Sequence, residues 1–204
     1  WCVGTESGLG VSVDFEELAL QRPGYGYRGK IPADAAHAFV VFVRETGEVR
    51  LRFSRDAIAD ALEMPRAGYL NHVITTPSEQ RFLTTLNFVT GGVRHVYPVI
   101  IELATGAIWS FDTEPTFSHP QFVDENRLLY FNGIAFCVYD LGRNTNRVLY
   151  TTRQDGHPTQ ISPDVVLSDT YPDRLSDMEV YVYDGTHRTL ARVANPPWYT
   201  GHLR

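Results

Sequence analysis

Three histidines, His72, His119 and His157, are the residues whose types and spacing point most directly to chemistry in this sequence. They lie 47 and 38 residues apart, and each opens a similar segment, with Asn-His at 72, Ser-His-Pro at 119 and Gly-His-Pro at 157. Neutral imidazole nitrogens bind divalent metals, and imidazoles act as general acids and bases near neutral pH. If the three segments are structural repeats, equivalent histidines would lie at the same radius and form a site.

The recurrence of histidine also has a purely structural explanation. A residue that recurs in every unit of a repeat protein can hydrogen-bond locally and lock neighbouring strands together. The residues alone leave the structural and the functional interpretation of these histidines open.

A second candidate is the loop Ser-Asp-Thr-Tyr-Pro-Asp-Arg at residues 168–174, which combines two carboxylates, a phenol and a guanidinium. Arg174 could form a two-pronged ion pair with a substrate carboxylate, and Asp169 could orient a histidine. Asp and Pro are also ordinary turn formers, so the loop could serve only as a turn.

The elements that would position these residues follow from an internal repeat. An apolar alternating strand, a turn and a second short strand recur four times, at residues 39–53, 98–111, 136–150 and 180–193. Three of these hairpins are preceded by another strand pair that opens on one of the histidines. Four strands in every 40 to 50 residues is the pattern of a β-propeller blade.

The sequence therefore predicts an all-β fold, a single β-propeller domain over residues 1–204 that is expected to be incomplete. The predicted blades cover residues 35–56 (in part), 69–113, 114–153 and 154–195. Two short helices are expected, at 14–20 and at 54–63, where Ser54 would cap the first turn.

Composition excludes several classes of function. The net charge of −6 and the pI near 5.6 argue against a nucleic-acid or anionic-membrane partner, because both need a basic surface. No run of about 18 apolar residues is present, and no secretory leader is visible, so a cytoplasmic location is expected. The sequence also contains no phosphate-binding loop and no nucleophile elbow.

Residues 69–195 resemble the oligogalacturonate lyase-like β-propeller group. The resemblance is carried by Asn71-His72, by Ser118-His119-Pro120 and Gly156-His157-Pro158, and by Ser162-Pro163-Asp164 and the Asp-Thr-Tyr-Pro-Asp segment at 169–173. It implies metal-assisted β-elimination on uronate-containing oligosaccharides.

The resemblance also implies roles for single residues. His119 and His157 fall at metal-ligand positions for Mn²⁺ or another divalent metal, and His72 is expected nearby with a catalytic role. Together with Arg174 as carboxylate clamp, these residues form the expected site. The position aligned with the group's base histidine holds Asn87, which cannot abstract a proton. The alternative prediction is a non-catalytic propeller scaffold that binds a protein partner or a glycan.

Overall fold

The computed structural model describes residues 2–4, 6–22, 24, 39–113, 116–152, 154–170 and 177–194. The chain divides into two compact units, unit 1 over residues 1–113 and unit 2 over residues 114–204. Strands account for 54% of the described residues and helices for 8%.

The described strands form four antiparallel, four-stranded sheets, in each of which consecutive strands are neighbours. In unit 1, sheet 1 consists of β1 (Cys2–Gly4), β2 (Leu9–Val13), β3 (Phe39–Val43) and β4 (Val49–Phe53). Sheet 2 consists of β5 (Tyr69–Thr75), β6 (Arg81–Thr90), β7 (Val93–Glu102) and β8 (Ile108–Trp109).

Unit 2 contains the other two sheets. Sheet 3 consists of β9 (Ser118–Phe122), β10 (Arg127–Phe131), β11 (Ala135–Asp140) and β12 (Thr145–Thr151). Sheet 4 consists of β13 (Thr159–Ser162), β14 (Val165–Asp169), β15 (Met178–Tyr183) and β16 (His187–Val193). The four predicted hairpins are confirmed as β3–β4, β7–β8, β11–β12 and β15–β16. The segment predicted as a partial blade, residues 35–56, supplies β3 and β4, and sheet 1 takes its other two strands from residues 2–13.

Both predicted helices are present, and the side chain before each one explains where it begins. Helix α1 (Phe15–Gln21) follows Asp14, whose carboxylate accepts hydrogen bonds from two backbone N–H groups of the first turn. Helix α2 (Arg55–Ala61) follows Ser54, whose hydroxyl accepts from the backbone N–H of Ala57 at 3.0 Å, as predicted. Such caps satisfy N–H groups that have no partner within the helix. Neither of these seven-residue helices, the only ones in the described ranges, has the length and apolarity needed to cross a membrane.

Two glycines form the turn of the longest hairpin, β6–β7. Strands β6 and β7 have ten residues each and pair from Arg81 opposite Glu102 to Thr90 opposite Val93. The two turn residues, Gly91 and Gly92, have φ of 60° and 79°, and glycine adopts these left-handed values without strain. The tight turn fixes the register of the hairpin and therefore which side chains share a face.

Each unit has its own apolar core. In unit 1, Val11, Phe39, Phe82, Leu86 and Ile101 are among the buried side chains that join sheets 1 and 2.

In unit 2, the core that joins sheets 3 and 4 consists of Leu129, Phe131, Phe136, Val138, Val166 and Tyr181. Cys137, between Phe136 and Val138 on β11, is completely buried. Burial raises the pKa of its thiol, despite an opposing hydrogen bond from Asn146.

Candidate functional site

Unit 2 brings His119 and His157 together. Their ring centroids lie 4.7 Å apart, with the ring planes at 70° to each other. His119 is on β9 of sheet 3, and His157 lies two residues before β13 of sheet 4. Two successive sheets therefore each contribute one imidazole to a single cluster, which we call the histidine pair.

His119 is oriented by the carboxylate of Asp155, which lies in the segment that precedes sheet 4. Its Nδ1 lies 2.9 Å from Oδ1 of Asp155 and 2.9 Å from the hydroxyl of Ser118, which itself donates to Oδ2 of Asp155 at 2.8 Å. Because an ionised carboxylate only accepts hydrogen bonds, Nδ1 of His119 carries the proton in this contact. The side chain of His119 is only 17% exposed.

His157 is held by Asp169 at the end of β14. Its Nδ1 lies 3.0 Å from both oxygens of the Asp169 carboxylate, and its backbone N–H donates to Oδ1 at 2.7 Å. Asp169 is buried, with 9% of its side chain exposed, whereas His157 is 36% exposed. The sequence-based prediction that Asp169 could orient a histidine is confirmed by this contact.

Electrostatics reinforce the second contact. The hydrogen bond that His157 donates to Asp169 raises the pKa of His157 above its ordinary value, against the opposing effect of burial. Burial alone would raise the pKa of Asp169, but the hydrogen bonds and the charge that His157 supplies, with the charge of His119, lower it. Both shifts favour the charged forms of this couple in the folded protein.

Imidazoles that are held in this way can act as metal ligands. With Nδ1 protonated, Nε2 is the basic nitrogen of the neutral ring, and metal-binding histidines commonly donate their other N–H to a carboxylate in this way. With both rings neutral, the two carboxylates leave the cluster negative, which favours a cation.

The described residues do not make up a complete ligand set. Within them, no group of three or more His, Cys, Asp and Glu side chains is arranged to hold a metal ion. Among the described residues, the histidine pair would supply two ligands to a cation.

The three predicted histidines do not hold equivalent places in their sheets. His72 and His119 have left-handed φ of 58° and 46°, and each lies where its strand shifts register against the next. His157 lies before its strand, and its φ is not in the left-handed region. His72 belongs to unit 1, whereas the histidine pair belongs to unit 2.

Two glycines show which residue of sheet 2 corresponds to His157. A Cβ on Gly156 would lie 1.9 Å from the carbonyl oxygen of Asp169, and a Cβ on Gly68 would lie 1.9 Å from that of Asn87. The residue after Gly68 is Tyr69, which pairs with Asn87. His157 therefore corresponds to Tyr69, and Asp169 to Asn87.

The remaining predictions concern Arg174 and Asn87. Arg174, the predicted carboxylate clamp, lies outside the described residues. Asn87 is buried on β6, where its amide donates to Thr85 and accepts from Arg94. Sequence reasoning missed Asp155, and the available signal was its place two residues before His157, in the same Asp-Gly-His-Pro run.

Comparison with known proteins identifies the fold. No family model matches the chain, and no curated protein does. The chain is similar to the β-propeller domain of the trilobed protease from Pyrococcus furiosus, described as having an open velcro topology, with 8% identity and a TM-score of 0.55 over 94% of this chain. It is also similar to an oligogalacturonate lyase in complex with manganese, with 11% identity and a TM-score of 0.53 over 78% of this chain.

A third similar structure, an acylaminoacyl peptidase from Pyrococcus horikoshii, has 13% identity and a TM-score of 0.46 over 65% of this chain. This chain spans 57% of the trilobed protease domain, 48% of the lyase and 26% of the peptidase. With four antiparallel sheets and propeller neighbours, the chain has the all-β fold of a β-propeller fragment, as the sequence predicts.

Proposed function

We propose that the histidine pair binds a divalent cation such as Mn²⁺, and that the propeller to which it belongs acts on uronate-containing oligosaccharides by β-elimination. The observation that carries the proposal is the contact of His119 and His157, each oriented through Nδ1 by its own aspartate. Resemblance to the oligogalacturonate lyase-like group supports the substrate class and the choice of metal.

Each residue of the cluster has a distinct part in this proposal. His119 and His157 would bind the cation through Nε2, while Asp155 and Asp169 keep the proton on Nδ1 and fix both rings. When bound, the cation supplies positive charge that neutralises the substrate carboxylate and stabilises charge developing beside it. Without a cation, the two aspartates would repel an anionic sugar.

β-Elimination on a uronate needs three bond changes. A base removes the proton from the carbon next to the carboxylate, the glycosidic C–O bond on the adjacent carbon breaks, and a C=C bond forms between the two carbons. The leaving oxygen takes up a proton. In this proposal Arg174 binds the carboxylate, and the base is a group other than Asn87, because the amide of Asn87 cannot accept the proton.

Metal binding can be tested on the full 204-residue chain after chelation. Titration with Mn²⁺ should raise the melting temperature of the wild type, because a ligand that binds only the folded state stabilises it by about 2.7 kcal/mol at 100 times its Kd. The rise should be lost in His119→Ala and in His157→Ala. His187→Ala is the matched control, since His187 lies in the same unit but contacts Tyr150 and Glu179 instead.

Activity is measured separately, as the ultraviolet absorbance of the unsaturated product released from oligogalacturonate. Wild-type turnover in the His119→Ala/His157→Ala double variant would overturn the catalytic proposal. A Mn²⁺-induced shift that persists in that double variant would overturn the metal site.

One observation favours a second function, a non-catalytic scaffold that binds a protein partner or a glycan. Asn87 stands where the resembled lyases have their base, and both ends of its amide are used in hydrogen bonds. A scaffold predicts that changes at the three histidines lower the stability and leave Mn²⁺ binding at the level of the wild type.

A further inference from the structure

Sheet 2 contains a buried hydrogen-bond network that ends in a surface arginine. The hydroxyl of Thr85 donates to the backbone carbonyl of Asn71 at 2.7 Å, and Nδ2 of Asn87 donates to that hydroxyl at 2.9 Å. Nη2 of Arg94 then donates to Oδ1 of Asn87 at 2.7 Å. Asn71, Thr85 and Asn87 are each at most 3% exposed, whereas Arg94 is exposed.

Strand register places these residues on one face. Asn71 pairs with Thr85, and Asn87, two residues further on β6, points to the same side. Asn87 pairs with Val96 of β7, and Arg94 lies two residues before Val96, again on that side. The register therefore places the guanidinium of Arg94 beside Asn87, at the end of the row formed by Asn71, Thr85 and Asn87. Its hydrogen bond to the buried amide of Asn87 restricts its position.

The partner of Arg94 differs from those of four other arginines of unit 1. Four of them form ion pairs with carboxylates, namely Arg50 with Glu48, Arg55 with Glu17, Arg66 with Asp60 and Arg81 with Glu102. Arg94 makes no ion pair with any residue that the structure describes, and it bonds the neutral amide of Asn87 instead. An amide orients the guanidinium as a carboxylate would but does not cancel its charge.

A second observation points to a ligand at this network. The side-chain oxygen of Asn71, whose residue is only 2% exposed, has no hydrogen-bond partner among the described residues. An unsatisfied buried acceptor costs about 1–3 kcal/mol, so its retention calls for an explanation. A hydroxyl donor that entered the network would satisfy it.

Sheet 4 has a carboxylate at the position that Asn87 occupies in sheet 2. Asn87 corresponds to Asp169 of sheet 4, as the two glycine contacts show. In sheet 4 the residue at this position is a carboxylate, and its partner His157 is held as an ion pair. In sheet 2 it is an amide, so the charge of Arg94 is left for an external anion.

We propose that Arg94, held by Asn87, is the carboxylate-binding residue of an anion site on sheet 2. The guanidinium of Arg94 suits a carboxylate, the unpaired side-chain oxygen of Asn71 would suit a hydroxyl, and a sugar acid offers both groups. The identity of the ligand as a uronate rests on the proposed function, whereas the anion site rests on sheet 2 alone.

The test measures binding of galacturonate to the full chain by calorimetry at low salt with chelator present. Arg94→Ala should weaken binding about 10- to 100-fold, the range of a charge-assisted hydrogen bond. Asn87→Asp should weaken it as well, because the new carboxylate neutralises Arg94 without removing it. Arg50→Ala, which removes an exposed arginine of the same unit already paired with Glu48, should bind like the wild type.

Titrations with other ligands show which group of galacturonate the site recognises. Galactose, which lacks the carboxylate, should bind at least tenfold more weakly than galacturonate. Inorganic phosphate that binds more tightly than galacturonate would overturn the sugar-acid assignment. Equal galacturonate affinity in the wild type, Arg94→Ala and Asn87→Asp would overturn the site, and thermal unfolding confirms that each variant is folded.

Different results would overturn the metal site of unit 2 and the anion site of sheet 2. Galacturonate binding without metal, retained in His119→Ala/His157→Ala, supports the anion site whether or not Mn²⁺ binds to unit 2. Mn²⁺ binding with no effect of Arg94→Ala on galacturonate affinity would leave the metal site standing and remove the anion site.

Discussion

Replacement of Asp169 by Asn probes how strongly the carboxylate holds His157. The substitution keeps an oxygen that can accept the backbone N–H of His157 but removes the charge that faces the ring. A charge-assisted hydrogen bond contributes about 1.5–3 kcal/mol and a neutral one about 1 kcal/mol. Because His157 is 36% exposed, solvent screening reduces the expected loss to about 1 kcal/mol.

The pKa directions fix how this loss depends on pH. The folded pKa of His157 is raised, so its contribution is complete below the unfolded value of about 6.5 and is lost as the pH rises through the folded pKa. The folded pKa of Asp169 is lowered, so its contribution is present above about 3.9 and is lost as the pH falls through the folded pKa. Both contributions are present together between about pH 4 and pH 6.5.

The assay is thermal unfolding of wild type and Asp169→Asn across this range, without added metal. A loss of about 1 kcal/mol lowers the melting temperature by about 2–4 °C in a chain of this length. The deficit should be largest at about pH 5.5 and should shrink as the pH rises through the folded pKa of His157. Asp164→Asn is the control, since Asp164 is 78% exposed and pairs with Arg147 on the surface. A deficit that grows with pH, or one no larger than that of the control, would refute the reasoning.

Two further predictions concern backbone packing and capping. Gly156→Ala should lower the free energy of unfolding by about 2–3 kcal/mol, because the new Cβ would lie 1.9 Å from the backbone oxygen of Asp169. Chemical denaturation measures this, and Gly142→Ala, whose nearest contact is an ordinary 3.5 Å, should change stability far less. Asp14→Ala should cost about 0.5–2 kcal/mol through loss of the α1 cap, whereas Asp14→Asn, which also caps helices, should cost little; equal losses in the two variants would contradict the capping role.

Local patterns predicted much of this fold because they are encoded in neighbouring residues. Alternating apolar residues around a turn identified the four hairpins, and Ser54 before an apolar helical face identified a cap. The same logic failed for the equivalence of the histidines. A one-residue register shift at His72 and His119, absent at His157, moves a side chain to a different position without changing the sequence pattern.

The cluster itself was predictable only in part. His119 and His157 could be singled out by their segments, and Asp169 by its loop, but Asp155 reaches His119 across 36 residues of chain. Arg94 had no signal at all, because a single arginine near a Gly-Gly turn belongs to no motif. Its significance depends on the register of β6 and β7, which pairing across the sheet determines.

Because Cys137 is buried in unit 2, chemical modification of its thiol reports how often this part of the protein opens. A thiol reacts through its thiolate, and both burial and the raised pKa suppress that form while β11 stays packed. The rate at which a small alkylating reagent modifies Cys137 therefore measures how often sheet 3 opens, on a timescale that equilibrium melting does not resolve. With Cys2, the other cysteine, replaced by Ser, a single mass increment would record whether an ion bound between His119 and His157 also closes the sheets that carry them.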